Sequence, residues 1–353
     1  MDLYSDNLGA AAPEILDAIA RVDADAAPAY GADGATRSLE TLLKRTFAHD
    51  DLTFALVGTG TAANGLSLAL SAPPFTGIYC HDTAHILLSE AGAAEFFTGG
   101  ARLVPVSGPD TKIAPSLLER ALAAAAAKPF LVQASVLSIC QSTDYGMTYA
   151  VEDVRRLSAI AARFGLKVHM DGARFANAVV AEGCTPADLT WRAGVDVMSL
   201  GVTKNGGLST ELVVVFDPAL GADLARVQRR TGQLASKMRY AAVQALAYFQ
   251  DDLWLRLAAG ANAAARTLAQ RIGAFPGVTL ARPVATNLVL LDLDDRLAGR
   301  LGAAGLRMLR KDGGEYRLVC RPDTSGDEIE AVVDLFRRCA GMREGAAARE
   351  VPA

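Results

Sequence analysis

Two short segments of this 353-residue chain place reactive groups where a ligand could meet them. In His169-Met170-Asp171-Gly172-Ala173-Arg174 an apolar run ends on an acid. In Ser199-Leu200-Gly201-Val202-Thr203-Lys204-Asn205-Gly206-Gly207 a second one ends on a lysine. If both runs are strands of an α/β sheet, Asp171 and Lys204 stand at strand C-termini, the edge at which such folds bind ligands. An amine and a carboxylate at one crevice suit pyridoxal phosphate. The lysine can form a Schiff base with the aldehyde, and the carboxylate can keep the pyridine nitrogen protonated, so that the ring draws electrons from an amino-acid Cα. Spacing alone also admits a plainer alternative, with Asp171 as a cap and Lys204 as a surface charge.

A third segment, Gly58-Thr59-Gly60-Thr61-Ala62-Ala63-Asn64, falls between an expected strand (53–57) and an expected helix (62–70). Unpaired N–H groups and the dipole at such a helix start can hold a phosphate dianion; an ordinary turn with a threonine N-cap is the alternative. The segment does not continue as Gly-x-Gly-x-x-Gly, which disfavours a nucleotide-binding oxidoreductase.

The elements that must position these groups follow from periodicity. Helices are expected at 13–22, 38–47, 86–97, 115–127, 151–164 and 175–182, with strands at 77–80, 103–106, 129–135, 167–170, 195–200 and 212–216. Strands separated by helices of this length predict a mostly parallel sheet of seven strands covered on both faces. A long helical region from about 220 to 272, broken near Gly232, leads to strands near 286–293, 305–308 and 317–320 and a helix at 326–338. The expected organisation is a large domain with an N-terminal arm (1–250), a smaller C-terminal α/β domain (251–340) and a disordered tail (341–353).

Composition bounds the partners. A hydrophobic fraction of 51% supplies a core, and a formal net charge of −4 without a basic run gives no reason to expect nucleic acid or an anionic membrane. The five cysteines show no Cys-x-x-Cys or Cys/His pairing, so neither zinc nor another metal is expected. The start of the chain lacks signal-peptide character, and the longest apolar run, 121–127, is too short to span a bilayer. A cytoplasmic protein acting on small molecules is the expectation.

Asp-Gly-Ala-Arg after one apolar strand and Thr-Lys-Asn-Gly after another resemble the fold-type I pyridoxal-phosphate enzymes of the threonine aldolase and β-eliminating lyase group. The nearest likeness is to the bacterial low-specificity L-threonine aldolases. It extends over Ala29-Tyr30-Gly31, the Gly58 segment, Ala84-His85, Glu90-Ala91-Gly92, Gly232 to Arg239 and Tyr316 to Cys320. The resemblance implies retro-aldol cleavage of L-threonine or L-allo-threonine to glycine and acetaldehyde. A bulkier substrate such as phenylserine, a β-eliminating lyase and a non-catalytic pyridoxal-binding protein stay open as alternatives.

By the same likeness Lys204 carries the cofactor, Asp171 partners the pyridinium, Gly60 and Thr61 form the phosphate cup, and His85 stacks on the ring. Arg174 and Arg317, joined by Ser5, hold the substrate carboxylate. Tyr30, Lys237 and Arg239 reach the cofactor of a neighbouring subunit in a homodimer or homotetramer, with Lys237 and Arg239 contacting its phosphate. The base for the β-hydroxyl is left between His85 and His81, and Glu90 between a family acid and a solvated or capping role. Asp144-Tyr145 occupies a loop that in many relatives carries Glu or His near the substrate hydroxyl, so loose discrimination at the β-carbon is expected.

Overall fold

Runs such as Glu211–Val215 and Val197–Leu200 are buried at every position, which requires cover on both faces of the sheet they enter. The computed structural model describes residues 1–22 and 26–341. The strands of its larger sheet are β1 (Thr53–Val57), β2 (Thr76–His81), β3 (Arg102–Val106), β4 (Gln133–Cys140), β5 (Lys167–Gly172), β6 (Val197–Leu200) and β7 (Glu211–Val215). Their order is β1-β7-β6-β5-β4-β2-β3, and only β7 runs against the rest.

Alternation along β5 divides its side chains between two layers. Val168 and Met170 enter the main apolar core with Phe47, Leu157 and Phe175. His169 and Asp171 turn to the opposite face, where the helix Gly60–Ser71 packs against β5, β6 and β7. That helix starts from Thr59, whose hydroxyl accepts from the Ala62 N–H at 3.1 Å, a side-chain N-cap.

The C-terminal region forms a second sheet of four strands in the order β10-β11-β9-β8, with β8 at Val278–Leu280, β9 at Leu288–Leu293, β10 at Leu309–Arg310 and β11 at Tyr316–Val319. All of its pairings are antiparallel. The helix Leu253–Ile272 joins the two regions: Trp254 and Ala258 belong to the main core, whereas Ala265, Leu268 and Ile272 belong to a second core behind the small sheet. The N-terminal segment binds to this second region. Leu3 is buried in its core, the Leu3 N–H donates to the Arg307 carbonyl, and the Val319 N–H donates to the Leu3 carbonyl.

Several expectations are corrected. The helix expected at 86–97 is two short helices, His85–Leu88 and Ala93–Thr98, because Ala91 and Gly92 adopt left-handed backbone (φ 50° and 80°). The strand expected at 129–135 lies at Gln133–Cys140; Phe130 and Leu131 are exposed, and Val136, Leu137 and Ile139 are the buried apolar residues. The strand expected at 305–308 is the two-residue β10, beyond the left-handed Gly305. Residues 342–353, where a disordered tail is expected, lie outside the described residues.

Candidate active site

The C-terminal ends of β4, β5 and β6 and the start of the helix Gly60–Ser71 surround a cavity of about 380 Å³. Asp171 is the penultimate residue of β5, and Lys204 sits in a short turn that follows β6. These two segments come together because Gly201 has no side chain: a Cβ there would lie 2.3 Å from the Ala173 carbonyl oxygen. The lysine turn is held from below by Glu211, a buried carboxylate that accepts from the Val202 N–H at 2.5 Å. Burial raises the Glu211 carboxyl above its ordinary range.

Lys204 lines the cavity and makes no hydrogen bond or ion pair among the described residues. Asp171 is buried, and both of its oxygens are occupied: Oδ1 accepts from the Ala173 N–H at 3.1 Å and Oδ2 from the Asn64 amide at 3.1 Å. Gly60 and Thr61 line the cavity in the first turn of their helix, where N–H groups have no internal acceptor. A Cβ added at Gly58 or Gly60 would meet nothing within 4 Å, so the space above the helix start is open.

His85 lines the same cavity, with Nδ1 2.8 Å from Glu90 Oε1. This hydrogen bond raises the imidazole above its usual value against the opposing effect of burial. Glu90 is buried and lines the cavity, so of its two expected roles the solvated one does not apply. His81 is buried elsewhere, with Nδ1 2.8 Å from the Thr83 hydroxyl, and does not line the cavity.

On the side of the small sheet, charge is concentrated. Arg174 is buried and donates through Nε and Nη2 to Asp6 at 2.6 and 3.0 Å, with Asp144 Oδ1 3.6 Å from Nη1. Burial alone would raise the carboxyls of Asp6 and Asp144, but nearby cations, Arg174 first among them, outweigh it and hold both below the ordinary range. Arg317 does not line the cavity; it donates through Nη1 to the Asp144 carbonyl at 3.4 Å, and its Nε is buried without a partner among the described residues. Burial and the adjacent Arg174 make this guanidinium less basic than usual.

Ser5 does not join the two arginines here: its hydroxyl accepts from the Asn7 N–H at 3.2 Å, and the neighbouring Asp6 is the residue that meets Arg174. Tyr30, Lys237 and Arg239 do not line the cavity of their own chain. They are nevertheless close to one another, since the Tyr30 N–H donates to the Ser236 carbonyl at 2.9 Å. Asp6, Asn64 and Glu211 were not singled out from the sequence. The available signals were the one amide side chain in a helix of mostly small and apolar residues and a lone acid heading an otherwise apolar strand.

Comparison with known proteins decides the family. Residues 2–296 match the beta-eliminating lyase family. The chain belongs to that family. It is 37% identical to a low-specificity L-threonine aldolase of Pseudomonas aeruginosa over 94% of this chain and 95% of that protein. A second relative, from a Pseudomonas species, bears the same name and is 35% identical over 94% of this chain and 96% of its own length. A threonine aldolase structure from Leishmania major superposes with a TM-score of 0.89 at 25% identity, covering 96% of this chain and 99% of that one. The fold is that of the fold-type I pyridoxal-phosphate enzymes, and pyridoxal phosphate is the cofactor this membership implies. The cavity fits it: an unpartnered amine, a buried carboxylate and an open helix start face one space. Among the described residues no helix is long and apolar enough to cross a membrane.

Proposed function

We propose that this lyase cleaves L-threonine, L-allo-threonine and related β-hydroxy-α-amino acids to glycine and an aldehyde. The reading rests on one observation above all, the presence of Lys204, without a partner among the described residues, in the same cavity as Asp171. Lys204 would hold the cofactor aldehyde, Asp171 its pyridine nitrogen, and the Gly60 and Thr61 N–H groups its phosphate. When bound, pyridoxal phosphate supplies an electron sink for the bond between Cα and Cβ.

The remaining work falls to side chains. Arg174 and Arg317 orient the substrate carboxylate. Arg174 lines the cavity and is held in place by Asp6, while Arg317 reaches the Asp144 carbonyl beside it, so that two guanidinium forks lie on one side of the site. His85, with Nδ1 engaged by Glu90, retains Nε2 as the ring atom able to take the β-hydroxyl proton. Asp144 stands beside Arg174 as an anion, where a water can link it to either hydroxyl orientation. Comparable kcat/KM values for threonine and allo-threonine follow from this arrangement.

We further assign the protein to the cytoplasm, as a homodimer or homotetramer in which Tyr30, Lys237 and Arg239 complete a neighbour's site. The proximity of these three residues to one another and their absence from the cavity of their own chain support that assembly.

The test is to incubate the purified, cofactor-loaded protein with a panel of β-hydroxy amino acids and to identify the products. Glycine and aldehyde in equal amounts are expected. An α-keto acid with ammonia would establish β-elimination instead.

A further inference from the structure

Asn64 sits inside the helix Gly60–Ser71, a position where asparagine is disfavoured unless its side chain has work elsewhere. Its amide is buried, and all of its polar atoms are engaged. Nδ2 donates to Glu90 Oε1 at 2.8 Å and to Asp171 Oδ2 at 3.1 Å, while Oδ1 accepts from the Ser199 hydroxyl at 2.5 Å. Two carboxylates therefore share one nitrogen and lie only a few ångströms apart. Only the orientation that turns the NH₂ group to both of them satisfies the network, since the reverse would set a carbonyl oxygen against two anions.

Two consequences follow. Every partner of Asp171 is a donor, so a proton on that carboxylate would have to displace one of them. Glu90 is held as an acceptor as well: its Oε1 receives Asn64 and His85, and its Oε2 is buried with no partner. A neutral His85 must then carry its proton on Nδ1 to meet Glu90, which leaves Nε2 bare. We propose that Asn64 is a positioning residue: by donating to both carboxylates it holds Asp171 as an acceptor aimed at the pyridine nitrogen and fixes the His85 tautomer that can accept a substrate proton. The catalytic meaning rests on the function proposed above, but the tautomer does not.

Removal of the amide gives a definite result. In Asn64→Leu, Glu90 loses one of its two partners while still buried beside Asp171, and like charges so placed do not both persist. The carboxyl group takes a proton and donates it to His85 Nδ1, which moves the imidazole proton to Nε2. The hydrogen bond in which Glu90 accepts from His85, and which raises the imidazole, is reversed, so its titration midpoint falls. Turnover of L-threonine falls on the order of ten- to a hundredfold, part of what general acid–base catalysis contributes, with KM changed by less than about threefold.

The experiment is nitrogen NMR of the full chain, ¹⁵N-labelled at histidine and loaded with pyridoxal phosphate. Four imidazoles are present, and His85→Gln identifies one of them. The expected wild-type spectrum shows a neutral His85 protonated at Nδ1, and Asn64→Leu reverses the tautomer. Protonation at Nε2 in the wild type, or an unchanged tautomer and midpoint in folded Asn64→Leu, overturns the proposal. The wild-type tautomer is read without Asn64→Leu, so a misfolded Asn64→Leu leaves the test standing. Absence of aldehyde production with the expected tautomer would refute the function but not the role of Asn64.

Discussion

Strand β5 begins at a lysine and ends beside the cavity, and the two ends of the sheet treat their lysines in opposite ways. At the start of β5, Lys167 reaches Asp217 at 2.6 Å and Asp196 at 3.3 Å. The hydrogen bond to Asp217 raises its amine above the usual value, which keeps it protonated and unreactive. At the other end, Lys204 has carboxylates in its vicinity, but Glu211 is spent on backbone N–H groups and Asp6 on Arg174. Proximity to acids does not separate a paired lysine from one without a partner among the described residues. What separates them is whether those acids have already been claimed.

The contrast is broken most sharply by exchanging which lysine is removed. Lys204→Ala is expected to lower turnover by roughly 10⁴-fold, the scale seen when a group acting as part of a unit is deleted. Borohydride reduction and peptide mapping of the wild type should place the pyridoxyl label on Lys204, and a label on Lys167 or Lys237 would sink the assignment.

Asp6→Ala tests the claim that prior commitment of acids matters. It leaves the buried Arg174 guanidinium without its bidentate partner, at a cost of about 3 kcal/mol in urea unfolding. The freed guanidinium should also raise KM for L-threonine. Unchanged stability would mean that Asp144 suffices as counter-ion.

His169 lies between the two ends on the face shared by Lys167 and Asp171, fully buried, with Nδ1 2.9 Å from the Ser138 hydroxyl. Burial lowers its value from 6.5 to about 4. The unfolded chain therefore binds a proton that the folded one refuses, and stability declines as pH falls from about 6.5 towards 4, by up to about 3 kcal/mol. His169→Leu should flatten that slope in chemical-unfolding curves; a slope that persists places its origin elsewhere.

The smallest effect belongs to Lys167→Met. Its half-exposed ion pairs predict a loss of about 1 kcal/mol or less and activity within about twofold of wild type.

The parts of this arrangement that the sequence makes legible share a property. Asp171, Lys204, Gly60 and His85 each lie at the junction of an apolar run and a turn, so local pattern and strand topology together bring them to one edge. The large sheet was legible for the same reason, since its strands bury apolar runs. Where an apolar run is exposed, as at Phe130-Leu131, the pattern misplaced β4. The short β8 and β10 carry too few residues to show a period. Asp6 and Asn64 escaped because their roles come from partners distant in the chain, and no local spacing encodes that Asp6 meets Arg174 168 residues away; Glu211 escaped because it reaches back to the backbone N–H groups of the lysine turn, which no side-chain pattern marks.

That long-range closure also has a meaning in time. Arg321 donates to the Asp2 carbonyl across 319 residues, and Asp6, next in line, is the counter-ion of Arg174. At a synthesis rate of roughly 5–20 residues per second, the opening segment waits roughly 15–60 s for the residues that dock it. Until then the large sheet can form, but Arg174 has no fixed companion and the mouth of the cavity has no floor on that side. A nascent chain can therefore complete its large sheet well before the residues that seat Asp6 against Arg174 have been made, so that this side of the cavity is closed late in synthesis.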